Sequence, residues 1–336
     1  MDQRTDERLT DGLGPAPLSP FVSPSAPRMD PLKFRDPLVT LDGSRRASVA
    51  LTGLDTLWFN TGTLCNIACL SCYIESSPRN DALVYLSALE VADYLAEVET
   101  TGLKTREIGF TGGEPFMNAE IMAMLEAALA SGRETLVLTN AMRPMRRFER
   151  QLVALRERFG AALTLRVSLD HYSREVHEAE RGADTWAPAI AGLVWLAENG
   201  FSLAIAGRRL GDESEETARA GYVALLDGLG ITLDVSDPSR LVLFPEMDVT
   251  RDAPEITEAC WGILSVAPDS MMCASSRMVV KRKGAARPAV VACTLTPYDP
   301  QFELGPTLAD AMGSVQLNHP HCARFCVLGG ASCSGR

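Results

Sequence analysis

Between Leu57 and Phe244, short apolar runs alternate six times with segments of helical period, which restricts the chain to helices packed on parallel strands. Strands are predicted at 57–59, 107–110, 135–139, 163–169, 201–206 and 241–244. The first helix opens on the capping box Ser87-Ala-Leu-Glu90 and turns Val91, Tyr94, Leu95 and Val98 inward. Asn118 is placed to cap the next, which carries Ile121, Met124, Leu125 and Leu129 and stops at Gly132. Further helices are predicted over 187–198, closed by Asn199-Gly200, and through Tyr222, Leu225 and Leu226. Six such units predict parallel strands curled into a barrel or partial barrel, with an open doubly wound sheet as the competing arrangement.

In βα barrels the loops at the C-terminal strand ends converge on the site. The chemically capable residues fall there: Cys65, Cys69 and Cys72 after the first strand, Gly112 to Pro115 after the second, and Asn140 after the third. Ser168 and Asp170 end the fourth, Arg208 and Arg209 follow the fifth, and Pro245-Glu246 follows the sixth. Asp170, His171, Glu246 and Glu75 are the acid–base candidates. Each alone reads as a strand-end cap or solvated residue, and the shared face gives them weight.

Three thiols spaced C-x3-C-x2-C can hold an iron–sulfur cube while leaving one iron open to a ligand. A structural zinc site is the competing reading, but it prefers four protein ligands. The remaining six of nine cysteines, Cys260, Cys273, Cys293, Cys322, Cys326 and Cys333, all lie in the last quarter. Clustered cysteines in a chain expected to stay in the reducing cytoplasm point to metal rather than disulfides. The stretch 260–273 reads as strand, Pro-Asp-Ser turn and strand, and a hairpin is predicted over 276–291, turning near Lys283-Gly284.

The chain has 336 residues, 46% of them apolar, with no run near the roughly 18 residues a membrane span requires. A net charge of −11 argues against a nucleic-acid partner or a membrane surface, since such binding rests on basic patches. Local basic clusters at Arg143, Arg146, Arg147 and Arg150, and at Arg277, Lys281, Arg282 and Lys283, read first as solvated faces. The former group is also a candidate dock for an acidic electron donor. Residues 1–30 are polar and rich in Pro, Ser and Gly, and read as a disordered tail without a secretory signal. The expected organisation is a leader over 1–50, a core over 51–250 and a cysteine-bearing module over 251–336.

The cysteine triad followed by Gly112-Gly113-Glu114-Pro115 resembles the two signature motifs of radical S-adenosylmethionine (SAM) enzymes. The resemblance implies a partial (β/α)6 barrel over about residues 55–246, a [4Fe–4S] cluster on Cys65, Cys69 and Cys72, and SAM chelating the open iron. It places Gly112, Gly113 and Glu114 beside the methionyl amino group, Asn140, Ser168 and Asp170 within reach of the cofactor, and Arg208 or Arg209 near its carboxylate. Reductive cleavage of SAM would give a 5′-deoxyadenosyl radical able to abstract hydrogen. Glycine at 112 and 113 is expected to admit the cofactor, since a side chain there would obstruct it. Many members carry an aromatic residue before the third cysteine, where this chain has Ser71, with Tyr73 just after that cysteine.

The C-terminal cysteines resemble the SPASM or twitch modules that hold auxiliary clusters. One further [4Fe–4S] cluster on four of the six is the preferred reading, and two clusters the alternative. The family implies a reducing partner such as flavodoxin or ferredoxin. It implies either a peptide or protein side chain as substrate, for oxidation or crosslinking, or a small molecule such as an alcohol. A non-catalytic iron–sulfur carrier is the reading from another class, and it would not require the motif at 112–115.

Overall fold

The computed structural model describes residues 19–22, 27–245 and 248–330. In chain order come β1 (Ser48–Val49), β2 (Thr56–Asn60), α1 (Ala88–Thr101), β3 (Glu107–Thr111), α2 (Ile121–Ala130), β4 (Glu134–Thr139) and α3 (Arg143–Arg146). Then follow α4 (Glu149–Phe159), β5 (Leu163–Ser168), α5 (Arg174–Arg181), α6 (Trp186–Glu198), β6 (Ser202–Arg208), α7 (Glu215–Gly228) and β7 (Leu241–Phe244). The C-terminal quarter adds α8 (Cys260–Leu264), β8 (Ser276–Val280), β9 (Ala289–Val291), β10 (Glu303–Gly305), β11 (Val315–Gln316) and a π-helical turn at Cys322–Val327.

All six predicted strands form. β2 to β7 are parallel and lie side by side in sequence order, with Phe59 opposite Phe110 and Val137 opposite Leu165. The order never reverses, and a doubly wound sheet requires a reversal. The sheet also does not close, so the architecture is a partial barrel. Every residue of β2 is buried: Leu57 and Phe59 join the core beneath the helices, and Trp58 packs on the opposite face with Leu136 and Met278. Gly109 of β3 leaves room for that indole, because a Cβ there would lie 2.5 Å from Trp58 Cδ2.

The capping box at α1 is complete: Glu90 N donates to Ser87 Oγ at 3.2 Å and Ser87 N to Glu90 Oε2 at 2.9 Å. Asn118 acts differently from expectation. Its Oδ1 accepts from Glu120 N before the helix starts, and its Nδ2 donates to Leu86 O at 2.8 Å, so it ties two loops together instead of capping α2.

The C-terminal hairpin forms as β8 and β9, but it does not stand apart. β8 pairs in parallel with β2, Phe59 facing Val279, and the sheet continues through β9 to β10, giving nine strands in the order β10-β9-β8-β2-β3-β4-β5-β6-β7. The expected strand pair over 260–273 is absent: residues 260–264 make α8, which ends at Ser265 in the left-handed region, and two short 3-10 turns follow. A five-residue apolar run does not distinguish strand from helix, and here the helical turn closes locally with Ile263 left exposed. Arg277 is likewise no surface charge. It is buried, and its guanidinium donates to the carbonyls of Ala311, Cys273, Ser276 and Gly313. Within the expected N-terminal tail, Ser19 and Phe21 are buried.

Candidate functional site

The three thiols sit on the loop leaving β2. Cys65 N donates to Ser77 O at 3.1 Å, Cys72 N lies 3.4 Å from Cys69 O, and Ser76 N donates to Cys72 Sγ at 3.4 Å, so backbone bonds shape the loop around its sulfurs. Cys65, Cys69 and Cys72 line one cavity with Gly112, Gly113, Asn140, Ser168, Asp170 and Arg208. Sequence-predicted residues from five strand ends therefore meet in one place. The lining also has apolar members: Leu138 and Phe244 come from the barrel, Leu295 and Phe325 from the C-terminal quarter. A lining that combines thiols, charges and aromatic and aliphatic surface suits a cluster with a ligand that is zwitterionic at one end and aromatic at the other. Burial pushes Cys65 up to about 11 and Cys69 up to about 12. Metal-free, these thiols hold their protons near neutrality, and metal binding releases them.

Gly113 and Gly112 do line the cavity, but their missing side chains make room for protein rather than for a ligand. A Cβ on Gly113 would lie 2.5 Å from Leu64 C and 2.7 Å from Thr63 O, and one on Gly112, at φ +141°, would lie 2.5 Å from Gly62 O. The β3 loop thus presses directly on the cysteine loop, joined by Gly113 N to Gly62 O at 2.8 Å and Glu114 N to Leu64 O at 3.1 Å. Glu114 departs further from expectation and does not line the cavity. Its buried carboxylate accepts from Asn140 N at 2.8 Å, Thr139 Oγ1 at 2.9 Å and Phe116 N at 3.2 Å, linking the β3 and β4 loops. Burial raises it to about 7 against those hydrogen bonds. Asn140, so positioned, donates to Asn66 Oδ1 at 2.9 Å and approaches Cys65 Sγ at 3.9 Å.

Two residues missed by sequence reasoning bear on the polar lining, Arg181 as part of it and Glu180 through its hold on Ser71. Arg181, at the end of α5, donates to Asp170 Oδ2 at 2.7 Å, and Arg208 Nε lies 3.4 Å from Asp170 Oδ1. Burial works against the charge on Asp170, but the two guanidinium groups outweigh it and hold the carboxyl below the usual range. Glu180, fully buried, accepts from Ser71 N at 2.9 Å and Ser71 Oγ at 2.8 Å, and its backbone oxygen takes Leu70 N at 3.0 Å. Ser71 also accepts from Arg208. The residue before the third cysteine therefore serves as a hydrogen-bonding anchor, while Tyr73 lines the cavity. The sequence signal for this pair was two adjacent charges, Glu180-Arg181, closing a helix against Gly182. The N-terminal segment reaches the same residues: Ser19 Oγ donates to Glu180 Oε2 at 2.5 Å, and the Arg208 guanidinium stands 5.5 Å from the Phe21 ring centre.

The other candidates lie elsewhere. Arg209 is exposed and donates to Glu213 O; Glu75 is exposed; His171 is buried with Nδ1 against Ser173 Oγ at 2.9 Å, outside the cavity. Glu246 and Cys333 lie outside the described residues.

A second cavity gathers Cys273, Cys293, Cys322 and Cys326. Cys260 is not among its lining residues, and its Sγ accepts from Thr257 N at 3.4 Å. Leu295 is common to both cavities.

Among the described residues no helix is long and apolar enough to cross a membrane. At 28% identity over 177 residues, the chain resembles the mycofactocin maturase MftC of Mycobacterium ulcerans (strain Agy99), a match spanning 51% of this chain and 44% of that protein. It is 28% identical over 144 residues to the antilisterial bacteriocin subtilosin biosynthesis protein AlbA of Bacillus subtilis (strain 168), spanning 42% of this chain and 30% of the relative. The chain thus matches less than half the length of each of these relatives. In fold it is similar to Streptococcus suis SuiB bound to the precursor peptide SuiA, with a TM-score of 0.55 at 14% identity over 84% of this chain and 67% of that one. Residues 59–220, from β2 into α7, match the family described as the Radical SAM superfamily. With the cysteine loop, the double glycine and the strand-end residues around one cavity, residues 59–220 belong to the radical SAM superfamily, whose chemistry rests on a [4Fe–4S] cluster and S-adenosylmethionine.

Proposed function

We propose that this enzyme modifies a peptide or protein side chain by oxidation or crosslinking, holding its SAM-binding cluster on Cys65, Cys69 and Cys72 and a fully ligated auxiliary cluster on Cys273, Cys293, Cys322 and Cys326. The observation that carries the reading is the pair of cysteine-lined cavities that share Leu295, one bearing three thiols and the other four. Three ligands leave an iron open for a substrate-like cofactor, and four close a cluster to everything but electrons. Bound in the first cavity, cluster and SAM supply a hydrogen-abstracting 5′-deoxyadenosyl group. Asp170, Arg181 and Arg208 are suited to orient the amino and carboxylate ends of the methionyl part, and Leu138, Phe244 and Phe325 to keep water from the radical's surroundings. The peptide class is supported by the names of the relatives, a mycofactocin maturase and a bacteriocin biosynthesis protein, and by the SuiB fold seen with a precursor peptide. A flavodoxin or ferredoxin is the proposed reductant, docking over Arg143 and Arg147 beside Asn66 of the cysteine loop.

Anaerobically reconstituted protein is expected to bind about eight irons per chain and to form 5′-deoxyadenosine from SAM with dithionite. The Cys65→Ala, Cys69→Ala, Cys72→Ala variant should keep about four irons and form none. A short peptide encoded beside the gene should lose two hydrogen atoms per turnover, detected by mass. Deoxyadenosine formation stimulated by a small alcohol and by no such peptide would replace the substrate class.

A further inference from the structure

The four-cysteine cavity is walled mainly by apolar residues, among them Met271, Phe302 and Leu317. Two polar side chains break that lining. His321 is 3% exposed and its Nδ1 has no hydrogen-bond partner; Thr296 is 4% exposed and its Oγ1 has none either. Leaving such a group buried and unpaired costs about 1–3 kcal/mol, so two of them lining one cavity call for a hydrogen-bonding partner inside it, and an acceptor there selects the His321 tautomer that carries its proton on Nδ1. The backbone beside His321 is held in place. His319 Nδ1 accepts from His321 N at 3.1 Å, and Cys322 N donates to His319 O at 2.9 Å, which fixes the backbone leading into the cysteine turn while the His321 ring lines the cavity.

We infer that His321 and Thr296 donate hydrogen bonds to the sulfurs of the auxiliary cluster and raise its reduction potential, setting it up to accept an electron from the substrate side rather than merely brace the fold. The inference rests on the four-cysteine reading above. Its chemistry is direct: sulfide and thiolate sulfurs carry the negative charge of a cluster, and hydrogen bonds to them favour the reduced, more negative state. In the proposed oxidation the substrate gives up one hydrogen atom to the 5′-deoxyadenosyl group, then one electron to the auxiliary cluster and one proton to solvent. A higher potential favours that second electron.

The test uses the full-length chain with Cys65→Ala, Cys69→Ala and Cys72→Ala, so that the auxiliary cluster alone is observed, and adds Thr296→Val, His321→Leu or both. Iron content and a spectroscopic redox titration are the readouts. With about four irons retained, the double variant should lower the equilibrium constant for reduction roughly tenfold, about 59 mV for one electron. The near-isosteric Thr296→Val should account for part of that shift even where His321→Leu weakens folding. Four irons with an unmoved potential would overturn the inference and leave the cluster in place. No iron in the parent triple variant would overturn the four-cysteine reading along with it.

Discussion

Replacing Gly113 with alanine tests whether the double glycine exists to let two loops touch. The added methyl carbon would lie 2.5 Å from Leu64 C and 2.7 Å from Thr63 O, both backbone atoms that no rotamer change can move aside. Comfortable carbon contacts begin near about 3.5 Å, so the loops must part by roughly 1 Å. That opens the bonds from Gly113 N to Gly62 O and from Glu114 N to Leu64 O, now 2.8 and 3.1 Å, beyond useful range. Two lost bonds at about 1 kcal/mol each and about 1–3 kcal/mol of overpacking strain give a loss of about 3–5 kcal/mol. Equilibrium urea unfolding of the metal-free protein measures it, with iron uptake and SAM binding followed on reconstituted samples. Gly262→Ala is the control, since a Cβ there meets nothing within 4 Å. If Gly113→Ala unfolds within about 0.5 kcal/mol of the parent, as an unremarkable surface change does, and fills normally with iron, the loop-contact account is wrong.

Asp170→Asn should destabilise by about 3–5 kcal/mol, because it strips the charged partner from two buried guanidinium groups. Since the folded Asp170 carboxyl is held below its ordinary 3.8, its stabilisation is present above that pH and is lost as pH falls further; acid unfolding midpoints of the parent and variant should converge there. Glu114 works in the opposite sense. Its folded value near 7 lies above the ordinary 4.5, so its contribution is present below about 4.5 and is lost as pH rises through about 7, a slope that Glu114→Gln should flatten in urea unfolding of the metal-free protein. Glu180→Ala should release the loop between Cys69 and Cys72, lowering iron retention at the first cluster while leaving the auxiliary iron bound, as read by iron assay under a chelator challenge. Arg277→Met should cost several kcal/mol, about 3 or more, by abandoning four carbonyls, and should be seen as an early unfolding phase.

The parallel strands were legible in the sequence because each is a short apolar run followed, within its loop, by residues of a different chemical kind, a pattern set by local periodicity alone. The first cysteine group was legible for the same reason, its spacing being a property of one loop. What escaped depended on contacts between distant segments. Nothing near Ser71 announces that Glu180 will meet it, and the hairpin at 276–291 reads correctly as a hairpin without revealing that its first strand will lie against β2. Glu114 sits in a recognisable motif, but nothing local shows that its carboxylate will accept from Asn140 N and Thr139 Oγ1 at the end of β4. Of the six late cysteines, separating Cys260 from the four around the second cavity required knowing that residues 260–264 coil into a helix.

The pairing of β8 with β2 bears on how the molecule comes into being. The strand that delivers the cysteine loop has β3 on one side, but its other edge stays open until residues 276–280, more than 200 positions later, come to cover it. An open parallel edge is a template for the wrong partner, and so distant a closure is slow. A fragment ending after β7 would present β2, with Leu57, Trp58 and Phe59 at its centre, as a bare edge and should self-associate. During synthesis the loop of Cys65, Cys69 and Cys72 would likewise hang from an unfinished sheet until Cys273 has emerged, which, on the proposed ligand assignment, couples the assembly of one metal centre to the arrival of the other.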